Sequence, residues 1–412
     1  MKMNDIHISL LKRIVEEKKN EGFHTKDISC HTEMMESHCI DPENPGNYHS
    51  IVGRVLSRRR DDLGIDETGT DSDRGSFWEK CPEIGKAEQK RQGPVGVHSP
   101  AGNPVGAEGL GPQSASDKPF AARMRLHQSW YRAQVLGLPC GTGPRPNSTK
   151  HYGNMLTPRD GDLGRNFLTP EIAEVARERL RQKGGAVEPF RLFHNMLSSQ
   201  PMCFNLFGPL VKDAELARKL VDALVPEDVE RVLRVVIEWA PEPKAEYLND
   251  NTAFDAFIEY LDSDGKKYAL GIETKLTEPF SQKEYDKEEY RRWMILPDAP
   301  WKEAADKKVA AVEHNQLWRD HLLAFALGHH RKSDYAQCRL MLVRHPQDKD
   351  CMAALAAYRS CLKTEESFID MPLDELSKRW NAVSSLDEAR KNWLKAFKLR
   401  YLDLEKSAIL VD

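Results

Sequence analysis

The feature that most restricts how this chain can fold is a glycine- and proline-rich stretch between residues 82 and 119. Glycine or proline occupies 13 of these 38 positions, and alanine and polar or charged residues fill most of the rest. Such a segment buries too little apolar surface to offset the entropy of ordering its backbone. We therefore expect a linker over residues 81–119, which separates a small module at 1–80 from a large domain at 120–412.

Overall composition excludes several classes of protein. The 412 residues suffice for two or three domains, and 60 Lys and Arg against 64 Asp and Glu do not mark a nucleic-acid-binding chain. No run approaches the roughly 18 apolar residues of a membrane span, and the N-terminus lacks the features of a signal peptide. Eight scattered cysteines without a C-x-x-C pair indicate reduced thiols. We expect a cytoplasmic protein with no membrane partner.

Residues 1–80 have the pattern of a small helical module. Apolar residues at helical spacing predict a first helix before Gly22 and a third over residues 50–60. Three helices followed by the segment at 74–78 are typical of a winged helix-turn-helix, whose third helix reads DNA. Its contacts would come from Arg54, Arg58 and Arg59. The alternative is a protein-interaction module, because this segment carries twelve basic and sixteen acidic residues.

The start of the large domain is locally basic. Residues 120–168 hold seven Lys and Arg against two Asp, with aromatic residues between them. Basic and aromatic side chains together can bind phosphates and stack on bases, which makes Arg123 and Arg132 candidate nucleic-acid contacts. The alternative is a solvated basic face with the aromatic residues in the core.

The rest of the large domain reads as an α/β unit. Caps and helical spacing predict helices over 170–183 and 199–210. Runs of β-branched and aromatic residues predict strands over 232–239, 253–261 and 267–276, the last two joined by a hairpin at 262–265. A helix over about 309–327, a strand over 338–343 and a helical tail follow.

The hairpin carries an unusual set of charges. Side chains alternate across a strand, so Glu273 and Lys275 project from one face, and an antiparallel partner can bring Asp255 to it. Buried charges on so apolar a strand pair are costly unless something compensates them. A hard cation would do so, because Mg²⁺ takes oxygen ligands from one or two carboxylates.

These residues predict a metal site with a defined division of roles. Asp255 and Glu273 would hold Mg²⁺, or alternatively Mn²⁺, helped by the backbone carbonyl of Thr274. The metal would acidify a bound water and shield the charge of a phosphate. Lys275 would position the attacking water and stabilise the transition state electrostatically.

Here the chain resembles a known family. Phe254-Asp255-Ala256 and, seventeen residues later, Gly271-Ile272-Glu273-Thr274-Lys275 resemble the D…(D/E)-x-K signature of PD-(D/E)XK nucleases. The order helix, three strands, helix, strand resembles the αβββαβ core of that restriction-endonuclease-like fold, a mixed sheet flanked by helices. The similarity to uncharacterised bacterial members extends over about residues 120–405, through segments 152–156, 198–200, 204–207, 315–319 and 400–403. The family's proline before the aspartate is absent, as Phe254 stands there.

The resemblance implies further site residues. Members often add a polar or acidic residue from the helix before the sheet, where Gln200 and Asn205 lie. Gln316 and Arg319, on the helix after the hairpin, could face a phosphate. For each of these four, helix capping or a core hydrogen bond is an equal alternative. Glu238, at the end of the first strand, is either a third acid or an exposed residue.

Together these observations predict a Mg²⁺-dependent DNA nuclease, most simply an endonuclease, with restriction or phage defence as its setting by analogy. The alternative is a DNA-binding or regulatory protein whose nuclease-like domain does not cleave. The intact set Asp255, Glu273 and Lys275 favours the nuclease. A homodimer is compatible with the sequence.

Overall fold

The computed structural model describes residues 107–182 and 185–410, together with the short segments 14–15, 23–24, 65–71 and 75–80. The chain divides into one compact unit over Met1–Gly93 and another over Pro94–Asp412. Within the described residues, no helix is long and apolar enough to cross a membrane.

The first unit contains a small antiparallel sheet. Its strands β1 (Phe23–His24), β2 (Ile65–Asp71) and β3 (Gly75–Lys80) are ordered β1-β3-β2, and β2 and β3 form a hairpin. The predicted third helix, with Arg54, Arg58 and Arg59, lies outside the described residues. The hairpin follows it in sequence as a wing would, and the winged-helix module stays a prediction.

In the large unit, a layer of helices precedes the main sheet. Side-chain caps or N1 prolines start most of them, as at Thr169, whose hydroxyl accepts from the Ile172 amide. Their bounds are α1 Pro119–Trp130, extended by a π turn over Tyr131–Val135, then α2 Pro158–Asp162, α3 Pro170–Arg181, α4 Pro189–His194, α5 Ser199–Lys212 and α6 Ala214–Asp222.

The centre of the domain is a five-stranded mixed sheet. Its strands are β4 Val229–Trp239, β5 Phe254–Asp262, β6 Lys267–Lys275, β7 Tyr335–Arg344 and β8 Phe368–Pro372, in that spatial order. The first three are antiparallel, whereas β7 and β8 run parallel to β6. Between and after them lie α7 Glu288–Met294, α8 Asp306–Val309, α9 Asn315–His329, α10 Lys349–Arg359, α11 Leu373–Asn381 and α12 Glu388–Tyr401. The predicted α/β class and helix, three-strand, helix, strand order are confirmed.

The sheet is buried on both faces. Alternate side chains of β6, such as Leu270 and Ile272, join a core with α3, α5, α6 and α12, and we call this side the α5 face. Ala269 joins a second core with α7, α9 and α10, on the α9 face. The sheet therefore separates two hydrophobic cores, and a charged residue on β6 must enter one of them.

The end of the predicted linker is folded. Leu110 is buried, and the guanidinium of Arg132 donates to the carbonyls of Gly109 and Leu110. These hydrogen bonds pair backbone carbonyls that a disordered linker would expose to solvent. Residues 107–119 therefore pack as part of the large unit, and the linker stays a prediction for residues 81–106.

Gly271 is required where two strands meet an aromatic ring. A Cβ there would lie 2.4 Å from Cε1 of the fully buried Phe254. We expect Gly271→Ala to lower the free energy of unfolding by about 1–3 kcal/mol, as overpacking does in cores, measured by urea denaturation. In the control Gly328→Ala the added methyl would meet Cys338 at 3.6 Å, an ordinary contact, so no loss is expected. A Gly271→Ala protein as stable as the wild type would contradict this packing.

Candidate active site

Glu273 and Lys275 form a buried ion pair at the end of β6. Lys275 Nζ lies 3.0 Å from Glu273 Oε1, and both residues are nearly inaccessible to solvent. Gln316 of α9 bridges them, because its Nε2 donates to Glu273 Oε1 at 2.7 Å and its Oε1 accepts from Lys275 Nζ at 3.1 Å. Lys275 Nζ also lies 4.8 Å from the centre of the Phe280 ring. The pair therefore lies on the α9 face.

Asp255 joins this pair through the residue between them. Its Oδ2 accepts from the Thr274 amide at 2.8 Å and from the Thr274 hydroxyl at 2.7 Å. The last paired residues of β5 and β6 are Ala256 and Ile272. The Asp255 carboxylate therefore bonds to β6 just beyond the point where the pairing of the two strands ends. Thr274 points to the α5 face, whereas its neighbours Glu273 and Lys275 point to the α9 face. Because the half-buried Asp255 is bonded to Thr274, its carboxylate lies at the strand end and not fully on the α9 face.

Burial and mutual repulsion shape the protonation of the three groups. Burial raises the pKa of Asp255, although the hydrogen bonds from Thr274 favour its ionised form. Burial, reinforced by the charge of Asp255, raises the pKa of Glu273 well above its ordinary value. For Lys275, burial disfavours the ammonium, but Glu273 and Asp255 outweigh it and raise its pKa. Lys275 is therefore a cation in the metal-free site.

The donor set fits a divalent cation. Asp255 Oδ1 and Glu273 Oε2 accept no hydrogen bond from any residue the structure describes. The carbonyl of a strand residue leaves on the same side as its amide, so the Thr274 carbonyl also faces the end of β5. The described residues contain no cluster of three or more His, Cys, Asp or Glu suited to a metal. The available ligands are thus two carboxylates and a carbonyl.

Two of the four predicted accessory residues contact the buried acids. Gln316 joins Glu273 to Lys275, as described above. Gln200, at the start of α5, donates instead to Glu238 Oε1 at 2.8 Å, and the Ala186 amide donates to Glu238 Oε2. Glu238 is buried and has a φ of 57°, in the left-handed region. Burial and then the charge of Asp255 raise the pKa of Glu238 to about 7.

Asn205 and Arg319 have structural contacts instead. Asn205 accepts from the Leu168 amide and donates to Tyr401, within the core of the α5 face. Arg319 donates to Thr252 and pairs with Asp250 at 3.6 Å. Their donors and acceptors are taken up by protein groups, so the core-hydrogen-bond alternative describes them better.

The predicted DNA contacts Arg123 and Arg132 are likewise bonded within the fold. Arg123 donates to the Ser407 hydroxyl and the Leu404 carbonyl. Arg132, 1% exposed, donates to backbone carbonyls that include that of Gly153. Groups of the fold therefore accept hydrogen bonds from both side chains, and the nucleic-acid role expected of them stays a prediction.

Sequence reasoning missed Asp320, which lies one turn after Gln316 on α9. It is 2% exposed, and its Oδ2 has no hydrogen-bond partner among the described groups. Burial raises the pKa of Asp320 to about 7, although Arg319 and Lys275 favour its ionised form. Positions i and i+4 share a helix face. Its spacing of four residues from Gln316 was therefore the sequence feature that could have placed Asp320 near the site.

Comparison with known proteins agrees with this geometry. A family model described as the PD-(D/E)XK nuclease superfamily matches residues 115–403. The chain belongs to the PD-(D/E)XK nuclease superfamily. Searches of the curated proteins and of the solved structures found no match. The superfamily match includes the five-stranded sheet and every residue of the candidate site, and it excludes the N-terminal unit.

The raised pKa of Asp320 gives metal-free stability a measurable pH dependence. The folded state holds this proton more tightly than the unfolded chain, so the contribution is complete below about pH 4 and lost as pH rises through about 7. The variant Asp320→Asn lacks it. Between about pH 4.5 and 8, we expect the wild type to lose about 3 kcal/mol relative to the variant, measured by urea unfolding with EDTA.

The exposed residue Asp264 supplies the control for this experiment. Its side chain is 71% exposed, so Asp264→Asn should follow the wild-type pH dependence. If the Asp320→Asn and wild-type stabilities stay parallel over this range, the assigned proton affinity of Asp320 is wrong.

Proposed function

We propose that this protein is a metal-dependent deoxyribonuclease that hydrolyses phosphodiester bonds in DNA. The observation that carries the proposal is the buried Glu273–Lys275 pair, bridged by Gln316, beside the anchored carboxylate of Asp255. A purely structural site has no evident need for a buried lysine and several poorly neutralised acids, because their desolvation costs several kcal/mol per ion. A site that receives a cation and a phosphodiester does.

Each residue has a distinct part in this proposal. Thr274 orients Asp255 through its amide and hydroxyl. Gln316 fixes the relative position of Glu273 and Lys275, and its Oε1 also accepts from the Ser281 amide, which joins the following loop to the site. Lys275, held as an ammonium by two carboxylates, would donate to an oxygen of the attacked phosphate or to the attacking water. Its positive charge would stabilise the additional negative charge of the transition state.

A divalent cation would be held by Asp255, Glu273 and the Thr274 carbonyl. When bound, Mg²⁺ or Mn²⁺ would make a coordinated water more acidic and shield the charge of the scissile phosphate. Neutralising these carboxylates would also remove the repulsion by Asp255, which adds to burial in raising the pKa of Glu273.

Endonucleolytic cleavage, a role in restriction or phage defence, and a cytoplasmic location complete the proposal. They rest on analogy with the superfamily and on the sequence arguments above. The alternative is a DNA-binding or regulatory protein that does not cleave. The complete Asp255, Glu273 and Lys275 set favours cleavage, since a site without catalytic use is free to lose any one of them.

Lys275 is the sharpest single test of the proposed chemistry. We expect Lys275→Ala to lower kcat by about 10²–10³-fold, the effect of removing one transition-state donor. The measurement is cleavage of supercoiled plasmid and of linear duplex DNA with Mg²⁺. The matched control is Lys267→Ala, at the opposite end of the same strand, which should cleave like the wild type.

Two outcomes of that comparison separate the alternatives. A Lys275→Ala protein as active as the wild type would refute the catalytic assignment. A wild-type protein that binds DNA but cleaves neither substrate would favour the regulatory alternative.

Metal dependence is tested separately on the wild-type protein. We expect EDTA to abolish cleavage, and Mg²⁺ or Mn²⁺ to restore it, because Asp255 and Glu273 leave oxygens free to coordinate a hard cation. The substitution Asp255→Glu keeps the charge but lengthens the side chain, which displaces the carboxylate from Thr274. It should therefore raise the Mg²⁺ concentration needed for half-maximal activity. Cutting that persists in EDTA would exclude the proposed mechanism.

A further inference from the structure

The proposed nuclease function calls for an exposed cationic surface on the large domain. DNA is held chiefly through its phosphates, whereas Arg123 and Arg132 are bonded inside the fold. Strands β6, β7 and β8 end side by side, since Lys275 pairs with Arg344 and Arg344 with Pro372. The candidate site therefore lies at the edge of the sheet where these three parallel strands finish.

A groove on this edge is lined by lysines. It has a volume of about 450 Å³ and lies between the segment at 345–347, which follows β7, and helices α11 and α12. Lys378 of α11 and Lys395 and Lys398 of α12 line it, and we call it the lysine groove. Ser377, Asn381 and Gln347 add polar groups to its walls, and Asp374 and Asp403 add two carboxylates.

The positive charge of the lysine groove is only partly neutralised. Lys395 is exposed and has no ion pair with any residue in the described part of the chain. Lys378 is 82% exposed, and its contact to Glu375 spans 3.9 Å. Lys398 pairs with Asp403 at 3.0 Å. Three ammonium groups that line one groove repel one another, so the arrangement favours an anionic ligand.

The neighbouring cavity has the opposite character. A cleft of about 640 Å³ lies beside Asp348 and Asp350, next to the loop that follows β6. Lys118 is the one Lys or Arg in its lining, against five acids, which are Asp117, Glu278, Glu313, Asp348 and Asp350. This cleft repels phosphate. Of the two cavities at this edge, the lysine groove is the one that suits a polyanion.

We propose that the lysine groove binds the phosphate backbone of the DNA strand that is cleaved at Glu273 and Lys275. This inference rests on the proposed nuclease function. The segment at 345–347 directly follows Arg344, which pairs with Lys275 of β6. The groove therefore adjoins the edge of the sheet at which the candidate site lies, and its lysines would contact phosphates that flank the scissile bond.

The test compares two triple variants of the full chain that lose the same charge. Lys378→Gln, Lys395→Gln and Lys398→Gln together empty the groove of its cations. The control combines Lys212→Gln, Lys266→Gln and Lys332→Gln, at the end of α5, in the β5–β6 turn and before β7, which lie toward the other end of the sheet. Binding of a fluorescein-labelled duplex oligonucleotide is measured by anisotropy in EDTA over a range of salt concentrations.

For the groove variant, we expect the plot of log binding constant against log salt concentration to become less steep. Its negative slope should shrink in magnitude by about two to three units, close to one per lost phosphate contact. The control should change by less than about half a unit. An unchanged slope for the groove variant, or an equal fall in the control, would overturn the inference.

The assay separates this inference from the proposed hydrolysis, because no cleavage occurs in it. A wild type that cleaves DNA while the groove variant keeps its slope would refute the groove alone. A groove variant that loses its slope in a protein that never cleaves would refute hydrolysis and support the groove. A wild type that binds no oligonucleotide would refute both.

Discussion

The buried ion pair between Glu273 and Lys275 is the interaction on which the rest of the site depends. Two desolvated charges are tolerated only where their geometry is good and further hydrogen bonds complete it. Gln316 supplies those bonds to both partners with one amide, and this fixes helix α9 over the end of β6. The crossover from β6 through α9 to β7 thus positions the site as well as completing the sheet.

The pair does not balance the charge around it. Glu238, Asp255 and Asp320 lie within electrostatic range of it or of one another, and burial raises the pKa of each. One lysine cannot neutralise them all. The fold therefore maintains a local excess of carboxylate at some cost to its own stability, which is typical of functional sites and has no use in a passive core.

Sequence alone could predict strands β4 to β7 and the Asp255, Glu273 and Lys275 group, because strand alternation and hairpin spacing determine which residues approach. It missed β8, which lies in the tail that was expected to be helical. It could not predict the hydrogen-bond partners of Arg132 or Asn205. The position of a residue in a helix predicts the direction of its side chain. It does not predict whether a carbonyl of a distant turn accepts its hydrogen bond, as the carbonyl of Gly153 does from Arg132. Asp320 was missed because a lone acid on an apolar helix looks exposed until the helix is packed on both sides.

The near-zero net charge of the chain now has a spatial explanation. Acidic residues that matter for the proposed chemistry point inward, where they cancel cations in the count without presenting a negative surface to a substrate. The lysines of the groove point outward, at the edge where the parallel strands end. A polyanion approaching that edge responds to the exposed charges within about one Debye length, about 8–10 Å, and not to the total. Net charge is consequently a poor guide to which surface of this domain would attract a polyanion.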